Sequence, residues 1–445
     1  MSSIAKRRDF LKATTGAVAA AALPIPAAVA AGQRTPALSR LRTAHVGVGG
    51  MGASDLASLA SHASVEVAAL CDVDRRNLDS AKAEYPDARG FVDFREMLSE
   101  LGDSVDAVVV STPDHTHAAA AMLALQLGKR VYCQKPLTHD VQESRRLREV
   151  AEQSQLTTQM GIQVHSAAPY RQAVQMVQSG VVGPVSRVLA WSNKNWGFDG
   201  TLPPAGQSPP KHLEWDLWLG TAPERPYLAG RYHPGQWRKI LDFGVGTLGD
   251  MGVHIFDTPY AALELTAPNW VKTECRPPTR HGLPESNKVT YQFPGTRHTS
   301  DTLEWTWYDG ALAPPPVEDT GLPTGARLPG QGALFVGEEG MLLLPHVGGA
   351  KLFPEENFKD YRPPKVAGGN HYHEWVDACL TGGQTSASFS YGGLLTEALL
   401  LGVIAGRFPG KQLQWDAAAL RFKNLADANA LLRRDYRQGF QVDGL

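Results

Sequence analysis

The first third of the chain alternates short apolar runs with longer amphipathic segments. Apolar runs of about four to eight residues are typical of buried strands, and longer periodic segments are typical of helices. Strands that alternate with helices predict a parallel sheet with right-handed crossovers. The pattern predicts strands at 43–48, 65–71, 107–110 and 130–133, and helices at 53–60, 74–85, 118–127 and 141–153. Gly128 after the third helix suits a left-handed cap.

The rhythm changes after about residue 165, where proline and glycine become frequent. Apolar runs there follow one another without a helix between them, which favours a mostly antiparallel sheet. A long apolar helix is predicted at 391–405. The predicted strands of this half lie at 288–293, 299–307, 334–337 and 341–344.

The N-terminus has the pattern of an export signal. Paired arginines, Arg7 and Arg8, precede an uncharged alanine-rich stretch that ends in Ala28-Val29-Ala30, a small-x-small cleavage pattern. An uncleaved membrane anchor is the alternative, but prolines within the stretch argue against a stable spanning helix. We therefore predict a twin-arginine signal peptide at 1–30 and a linker at 31–40. The mature protein is expected to be periplasmic or secreted, exported by the twin-arginine machinery and without a stable membrane span.

Composition narrows the class of protein. The 445 residues carry a net charge of −2, with 43% hydrophobic and 20% charged residues, as in soluble globular proteins. No global field attracts nucleic acid or an anionic membrane. The four cysteines match no zinc pattern, and Cys71 and Cys133 are expected to be buried free thiols because they end predicted core strands.

A glycine-rich turn follows the first predicted strand. Gly47-Val48-Gly49-Gly50-Met51-Gly52 gives G-x-G-x-x-G between a buried strand and a helix, which predicts a dinucleotide site with the pyrophosphate on the helix N-terminus. Asp72 ends the next strand, where a carboxylate binds the adenosine ribose and favours NAD over NADP. Arg75 and Arg76 keep NADP possible.

Three further residues have side chains suited to proton transfer. Lys135 follows a strand at the carboxyl edge of the sheet, where ligands bind in open α/β folds, although a surface lysine is equally compatible. Asp250 and His254 are four residues apart and share one face if helical. Asp250 could bind a sugar hydroxyl or orient the imidazole, and His254 could accept the hydroxyl proton. A structural Asp and a buried His are the alternative, and two ligands are too few for zinc, so no metal is assigned.

Taken in order, these motifs resemble those of the Gfo/Idh/MocA (glucose–fructose oxidoreductase/inositol dehydrogenase) family. The resemblance implies a Rossmann domain, here 41–164, and a C-terminal α/β domain with an open sheet, here 165–445, for substrate binding and assembly. It also implies NAD(P), a Lys beside the nicotinamide at Lys135, and an Asp/His pair at Asp250 and His254. The matching pieces are Gly47-x-Gly49-x-x-Gly52, Cys71-Asp72, Thr112-Pro113 with His117, Gln134-Lys135-Pro136 and Gly249-Asp250-x-Gly252-x-His254.

One position departs from the family. The usual motif before the proline is Glu-Lys, whereas this chain has Gln134-Lys135. An amide cannot hold the Lys charged as a carboxylate does, so the pH optimum and the direction of reaction become open questions. Gln163 is a further candidate cofactor residue, and the candidate substrate residues are His165, Trp237, Arg238 and Tyr372.

Export adds a condition on the chemistry. A periplasmic enzyme meets no pool of NAD(H), so the expectation is a tightly bound, internally recycled cofactor and a sugar or glycoside substrate. The reaction could couple two sugars, or it could oxidise a glycoside, eliminate the aglycone, add water and reduce again. A non-catalytic sugar-binding protein is the third hypothesis. Assembly as a homodimer or homotetramer is expected from the family.

Overall fold

The computed structural model describes residues 37–203 and 205–445. The predicted signal peptide at 1–30 and most of the predicted linker lie outside these residues. No helix in the described ranges is long and apolar enough to cross a bilayer. Two sheets organise the chain: a parallel sheet of six strands and a mixed sheet of nine.

The N-terminal half is a doubly wound α/β unit. All strand pairs are parallel, and the order β3-β2-β1-β4-β5-β6 is that of the Rossmann fold. Its strands are β1 (Leu41–Val46), β2 (Val65–Cys71), β3 (Arg89–Phe91), β4 (Ala107–Val110), β5 (Arg130–Gln134) and β6 (Thr158–Gly161). Its helices are α1 (Met51–Ala60), α2 (Arg75–Glu84), α3 (Phe94–Leu101), α4 (Asp114–Gln126) and α5 (Val141–Ser154).

The C-terminal half is an open sheet with helices. Its order is β13-β12-β11-β7-β10-β9-β8-β14-β15, and only the β7–β10 pair is parallel. Its strands are β7 (Val185–Ser192), β8 (Trp270–Glu274), β9 (Lys288–Pro294), β10 (Thr299–Asp309), β11 (Gln331–Gly337), β12 (Met341–Pro345), β13 (Lys351–Phe353), β14 (Gln412–Asp416) and β15 (Arg421–Phe422). Its helices are α6 (Ala168–Gln178), α7 (Trp215–Leu219), α8 (Val253–Ala262), α9 (His371–Thr381), α10 (Phe389–Ala405) and α11 (Ala426–Asn429).

The predicted fold class is confirmed, with local differences. Helix α4 begins four residues before the predicted start, because Pro113 provides its N-cap and the segment after it is helical from Asp114. Gly128 has a φ of +71°, which confirms the left-handed cap. Strand β3 and helix α3 were missed; the three residues of β3 carry too little periodicity to recognise. All four cysteines are free thiols, and Cys71 and Cys133 are buried.

Residues 212–243, here called the strap, cross from the second half of the chain back onto the Rossmann unit. The main-chain N–H of Arg75 donates to the carbonyl of His212 at 2.8 Å, and that of Glu214 donates to Val73 at 2.9 Å. The strap has its own apolar cluster, centred on Trp218 and Phe243. It is therefore a packed element attached to the end of β2.

Candidate functional site

The glycine turn after β1 leaves space for a ligand. Gly47 has a φ of +82°, and a Cβ there would lie 2.6 Å from the carbonyl oxygen of Ser111. A Cβ on Gly52 would lie 2.1 Å from the carbonyl oxygen of Gly47. Gly50, at a φ of +54°, would meet nothing within 4 Å and precedes the first residue of α1. The turn therefore exposes a helix N-terminus to an open cleft, which fits a pyrophosphate.

Asp72 is fixed at the edge of this cleft by main-chain donors. Its Oδ2 accepts the N–H of Val48 at 2.9 Å, and its Oδ1 accepts the N–H of Asp74 at 2.8 Å. Burial raises the pKa of Asp72 above its ordinary value. The carboxylate is thus placed beside the glycine turn before any ligand arrives, as a ribose-binding acid requires.

Most of the predicted cofactor residues line one cleft. Strap residues close its other side, so the cleft lies between the Rossmann unit and the strap. Gly52, His117, Gln163, His165, Asp250, His254 and Tyr372 are not part of its lining. The predicted residues that line it are Gly47, Gly49, Gly50, Met51, Asp72, Thr112, Pro113, Gln134, Lys135, Trp237 and Arg238.

Lys135 joins the cleft to the predicted acid. Its Nζ donates to the carboxylate Oδ1 of Asp250 at 2.9 Å and to the main-chain carbonyl of the same residue at 3.0 Å. Arg238 Nε donates to the same Oδ1 at 3.1 Å. Burial alone would raise the pKa of Asp250, but the positive charges of Lys135 and Arg238 lower it well below its usual range. The site therefore holds a permanent carboxylate between two cations.

His254 differs from one of its predicted arrangements. Asp250 lies in a π-helical turn, Leu248–Gly252, that precedes α8, and its carboxylate bonds to the two cations and not to the imidazole. Asp250 therefore does not orient His254. Burial and the positive charge of Lys135 lower the pKa of His254 well below its usual range, which leaves a neutral imidazole. Its Nδ1 is buried and has no hydrogen-bond partner in the described part of the chain.

A second carboxylate explains the unusual Gln134. Asp55 on α1 is fully buried, and Gln134 Nε2 donates to both of its oxygens at 3.0 and 2.9 Å. Ser111 Oγ donates to Asp55 at 2.6 Å, and the hydroxyl of Tyr372 donates at 2.9 Å. Burial raises the pKa of Asp55, although its hydrogen-bond donors oppose the shift. The amide of Gln134 is thus held against a buried carboxylate on the facing helix.

Several other candidates have structural partners. The ring nitrogens of His117 lie 2.9 and 2.8 Å from the carbonyls of Pro136 and Thr112, so this imidazole joins two loops behind the cleft rather than lining it. His165 Nδ1 lies 2.9 Å from Asp257 Oδ1. Gln163 donates to the hydroxyl of Tyr372 at 3.1 Å. These hydrogen bonds give His117, His165 and Gln163 structural partners. A direct role for them in binding cofactor or substrate stays a prediction.

Two histidines flank Tyr372 at the start of α9. His371 bonds to Ser166 and to the carbonyl of Met160, and His373 bonds to Ser61. Within residues 37–203 and 205–445, no group of three or more His, Cys, Asp or Glu side chains has the geometry of a metal site.

Sequence reasoning missed four residues of the site. Asp55 could have been found, because it lies one helical turn before the buried Leu59 and so places a charge on an apolar face. Asp114 lines the cleft, and burial raises its pKa to about 7. Trp218 and His233 come from the strap, whose position over the cleft has no signal in the local sequence.

Models of one oxidoreductase family match both halves of the chain. The model described as an NAD-binding Rossmann fold matches residues 41–162, and the model of the C-terminal alpha/beta domain matches residues 167–296. The chain belongs to the Gfo/Idh/MocA family of oxidoreductases. An NAD-binding Rossmann domain followed by an α/β domain is the architecture that the two sheets show.

Curated relatives match over part of their length. A glycosyl hydrolase family 109 protein of Shewanella sp. (strain W3-18-1) is 28% identical over 182 residues, 39% of this chain and 39% of the relative. An inositol 2-dehydrogenase of Salmonella paratyphi B is 28% identical over 146 residues, 32% of this chain and 43% of the relative. The matched region thus spans about two fifths of the length of these relatives.

A solved structure shares the fold over most of this chain. The WlbA dehydrogenase from Bordetella pertussis, in complex with NADH and UDP-GlcNAcA, aligns with a TM-score of 0.60 over 85% of this chain and 99% of that one, at 16% identity. At this identity the likeness shows the fold alone. The shared fold therefore extends through most of the described residues.

Proposed function

We propose that this chain is an exported NAD(P)-dependent oxidoreductase that acts on a hydroxyl group of a sugar or glycoside and retains its cofactor between turnovers. The observation that carries the proposal is the link from the cleft through Lys135 to Asp250, with His254 one turn further along the chain. NAD is the preferred cofactor because Asp72 lies where a ribose 2′-phosphate would be repelled.

Each residue of the site has a defined task in this proposal. A bound nicotinamide supplies the acceptor and donor of hydride. Asp250 and Lys135 form a hydrogen-bonded pair that can orient a substrate hydroxyl at the mouth of the cleft. His254, neutral at physiological pH, accepts the hydroxyl proton as the hydride leaves carbon and returns it in the reverse step.

The strap supports retention of the cofactor. Leu217, Trp218 and His233 contribute to the same cleft as the glycine turn. His233 Nε2 lies 3.1 Å from Asp74 Oδ2, which connects the strap to the end of β2. Strap residues that line one side of the cleft add contacts to a bound ligand, and such contacts lower the dissociation rate.

Retention is tested by denaturing purified protein and analysing the supernatant, where stoichiometric NAD(P) is expected and its absence contradicts the proposal. His233→Ala is expected to accelerate cofactor release several-fold. His212→Ala is the matched control, because His212 Nε2 is 4.0 Å from the same carboxylate oxygen and does not line the cleft. Equal release rates in both variants would remove the strap from the proposal.

A glycosidase acting through the same hydride transfer is the second candidate. The glycosyl hydrolase family 109 relatives favour it. In this series of reaction steps a glycoside carbon is oxidised, the aglycone is eliminated, water adds and the hydride returns. No external oxidant is therefore consumed. A panel of 4-nitrophenyl glycosides, free hexoses and myo-inositol, assayed without added cofactor and with or without an electron acceptor, separates the outcomes. Nitrophenol release without an acceptor indicates hydrolysis, and turnover only with an acceptor indicates a net dehydrogenase.

Export and assembly complete the proposal. The full chain expressed in a bacterium with a twin-arginine pathway is expected in the periplasmic fraction, and replacing both Arg7 and Arg8 by Lys is expected to leave it in the cytoplasm. Light scattering of the purified protein tests the homodimer or homotetramer. A cytoplasmic wild-type protein would contradict the export signal.

A further inference from the structure

A second imidazole lies beside His254 at the candidate site. His346 directly follows β12, and its ring centroid is 5.8 Å from that of His254. We propose that His346 binds the substrate, as a neutral imidazole that Tyr170 locks in one tautomer so that its Nε2–H donates to a sugar oxygen next to the one served by His254. This inference rests on the proposed function and names a specificity residue for it.

The tautomer follows from the hydrogen bonds of Tyr170. The phenolic oxygen accepts the main-chain N–H of Val347 at 2.7 Å, and it lies 2.9 Å from Nδ1 of His346. The hydroxyl proton of Tyr170 is satisfied only if it points to Nδ1, since the described residues offer it no other acceptor. A buried hydroxyl proton without an acceptor is costly. Nδ1 of His346 is therefore the acceptor.

The other nitrogen of His346 is consequently the donor. Burial, together with the charges of Lys194 and Lys135, lowers the pKa of His346, so the ring is neutral and its single proton lies on Nε2. Within residues 37–203 and 205–445 this Nε2 has no hydrogen-bond partner, and it is not among the buried unpaired atoms. An N–H group without a partner among the described residues thus lies on a ring whose centroid is 5.8 Å from that of the candidate base.

The main chain at Val347, directly after His346, has an unfavourable conformation. Val347 has a φ of +59°, a conformation that β-branched residues avoid, and its side chain is 80% exposed, so packing does not compensate. The main-chain N–H of His346 donates to the carbonyl of Gln331 at 2.9 Å, and that of Val347 donates to Tyr170. Such strain concentrates at ligand-binding positions.

The pair of imidazoles suits two neighbouring oxygens of one sugar ring. His254 receives the proton of the hydroxyl that is oxidised, and His346 donates to the adjacent hydroxyl. A site that donates to a substrate oxygen discriminates against analogues that lack it, because the donor is then left unpaired. The substrate class is therefore a sugar with vicinal oxygens at and beside the reacting carbon.

The tautomer is tested directly by NMR. Holoenzyme labelled with ¹⁵N-histidine is expected to show His346 protonated at Nε2 at neutral pH, with the signal assigned by its loss in His346→Gln. Tyr170→Phe is expected to abolish the single-tautomer signature. Tyr260→Phe is the matched control, because it removes another buried tyrosine hydroxyl, which donates to the carbonyl of Thr266 at 2.8 Å. A proton on Nδ1 in the wild type overturns the proposal.

Binding is tested with the same sugar panel. The His346 Nε2–H signal is expected to shift on addition of the panel sugars that are turned over. His346→Leu and Tyr170→Phe are expected to raise KM about tenfold, the usual effect of losing one neutral hydrogen bond. His346→Gln, which retains a donor near the Nε2 position, is expected to restore part of this loss, and Tyr260→Phe is expected to leave KM unchanged.

The two proposals fail in different ways. If no panel sugar is turned over, the proposed function fails, while a sugar-dependent shift of the His346 signal still supports its binding role. If a sugar is turned over with an unchanged KM in His346→Leu, or if no panel sugar shifts the signal, the role of His346 is refuted and the function stands.

Discussion

Two buried carboxylates near Lys135, Asp250 and Asp55, have contrasting surroundings. Asp250 lies between two cations, and its pKa is lowered far below the ordinary range. Asp55 has only uncharged donors within hydrogen-bond distance, and burial raises its pKa. The same type of side chain is thus a permanent anion at Asp250, whereas burial disfavours its ionised form at Asp55. The comparison teaches that partners, rather than depth, decide the charge of a buried acid.

Replacing Lys135, whose charge acts on both carboxylates, should have the largest effect. Lys135→Ala deletes the contact between Asp250 and the cleft, and a positioned proton-transfer group contributes about 10²–10⁴-fold to rate. Turnover of the best panel sugar is expected to fall by that factor, while denatured protein still releases stoichiometric NAD(P). Retained activity would remove Lys135 from the chemistry.

Neutralising the carboxylate between the cations should have the next largest effect. Asp250→Asn leaves Lys135 and Arg238 without their common anion, and breaking a buried ion pair costs about 3–5 kcal/mol. The lowered pKa of Asp250 means that its contribution is present above the ordinary value of 3.8 and is lost as pH falls below it. Urea unfolding between pH 3 and pH 7 is expected to show a large loss at pH 7 that shrinks towards pH 3. A loss independent of pH would contradict the charge assignment.

Asp55 is expected to show the opposite pH dependence of stability. The raised pKa of Asp55 means that its protonated form is favoured in the fold, so its contribution is present below 3.8 and is lost as pH rises through the folded pKa. Asp55→Asn is expected to remove this dependence of the unfolding free energy on pH. The unfolding free energy itself is expected to change by about 1–3 kcal/mol as hydrogen bonds are rearranged.

The double variant Asp55→Asn/Gln134→Glu sharpens this test, because it moves the carboxylate from α1 to the end of β5. Neighbouring residues in one network couple by about 0.5–3 kcal/mol, so the double variant is expected to be more stable than the sum of the single variants. Additive effects would show that the two positions do not share one charge.

The smallest effect on stability is expected for an exposed ion pair. Arg75 and Glu214 connect α2 to the strap, and their side chains are 51% and 38% exposed. Arg75→Ala is expected to change the unfolding free energy by about 0–1 kcal/mol, because surface ion pairs are screened. The unfolding midpoint in urea at low and high salt measures this change. A loss comparable with that of Asp250→Asn would undermine the role given to burial in the comparison.

The sequence by itself determined the Rossmann unit and its ligand turn. Periodicity located the strands at 65–71 and 107–110 to the residue, and the positions of Gly47, Gly52 and Asp72 follow from steric and topological rules that act within a few residues. Lys135 could be named because the ends of parallel strands meet at one edge, and Asp250 because of its spacing from His254 and the family resemblance. The bond between them could not be predicted.

The tertiary structure alone decided which partners those residues have. The contacts of Asp55 with Tyr372, of Lys135 with Asp250, and of His346 with Tyr170 join positions 115 to 317 residues apart in the chain. Periodicity reports only which face of an element is buried, whereas these contacts depend on how distant elements pack. The electrostatic character of the site is therefore a property of packing, and only the fold could reveal it.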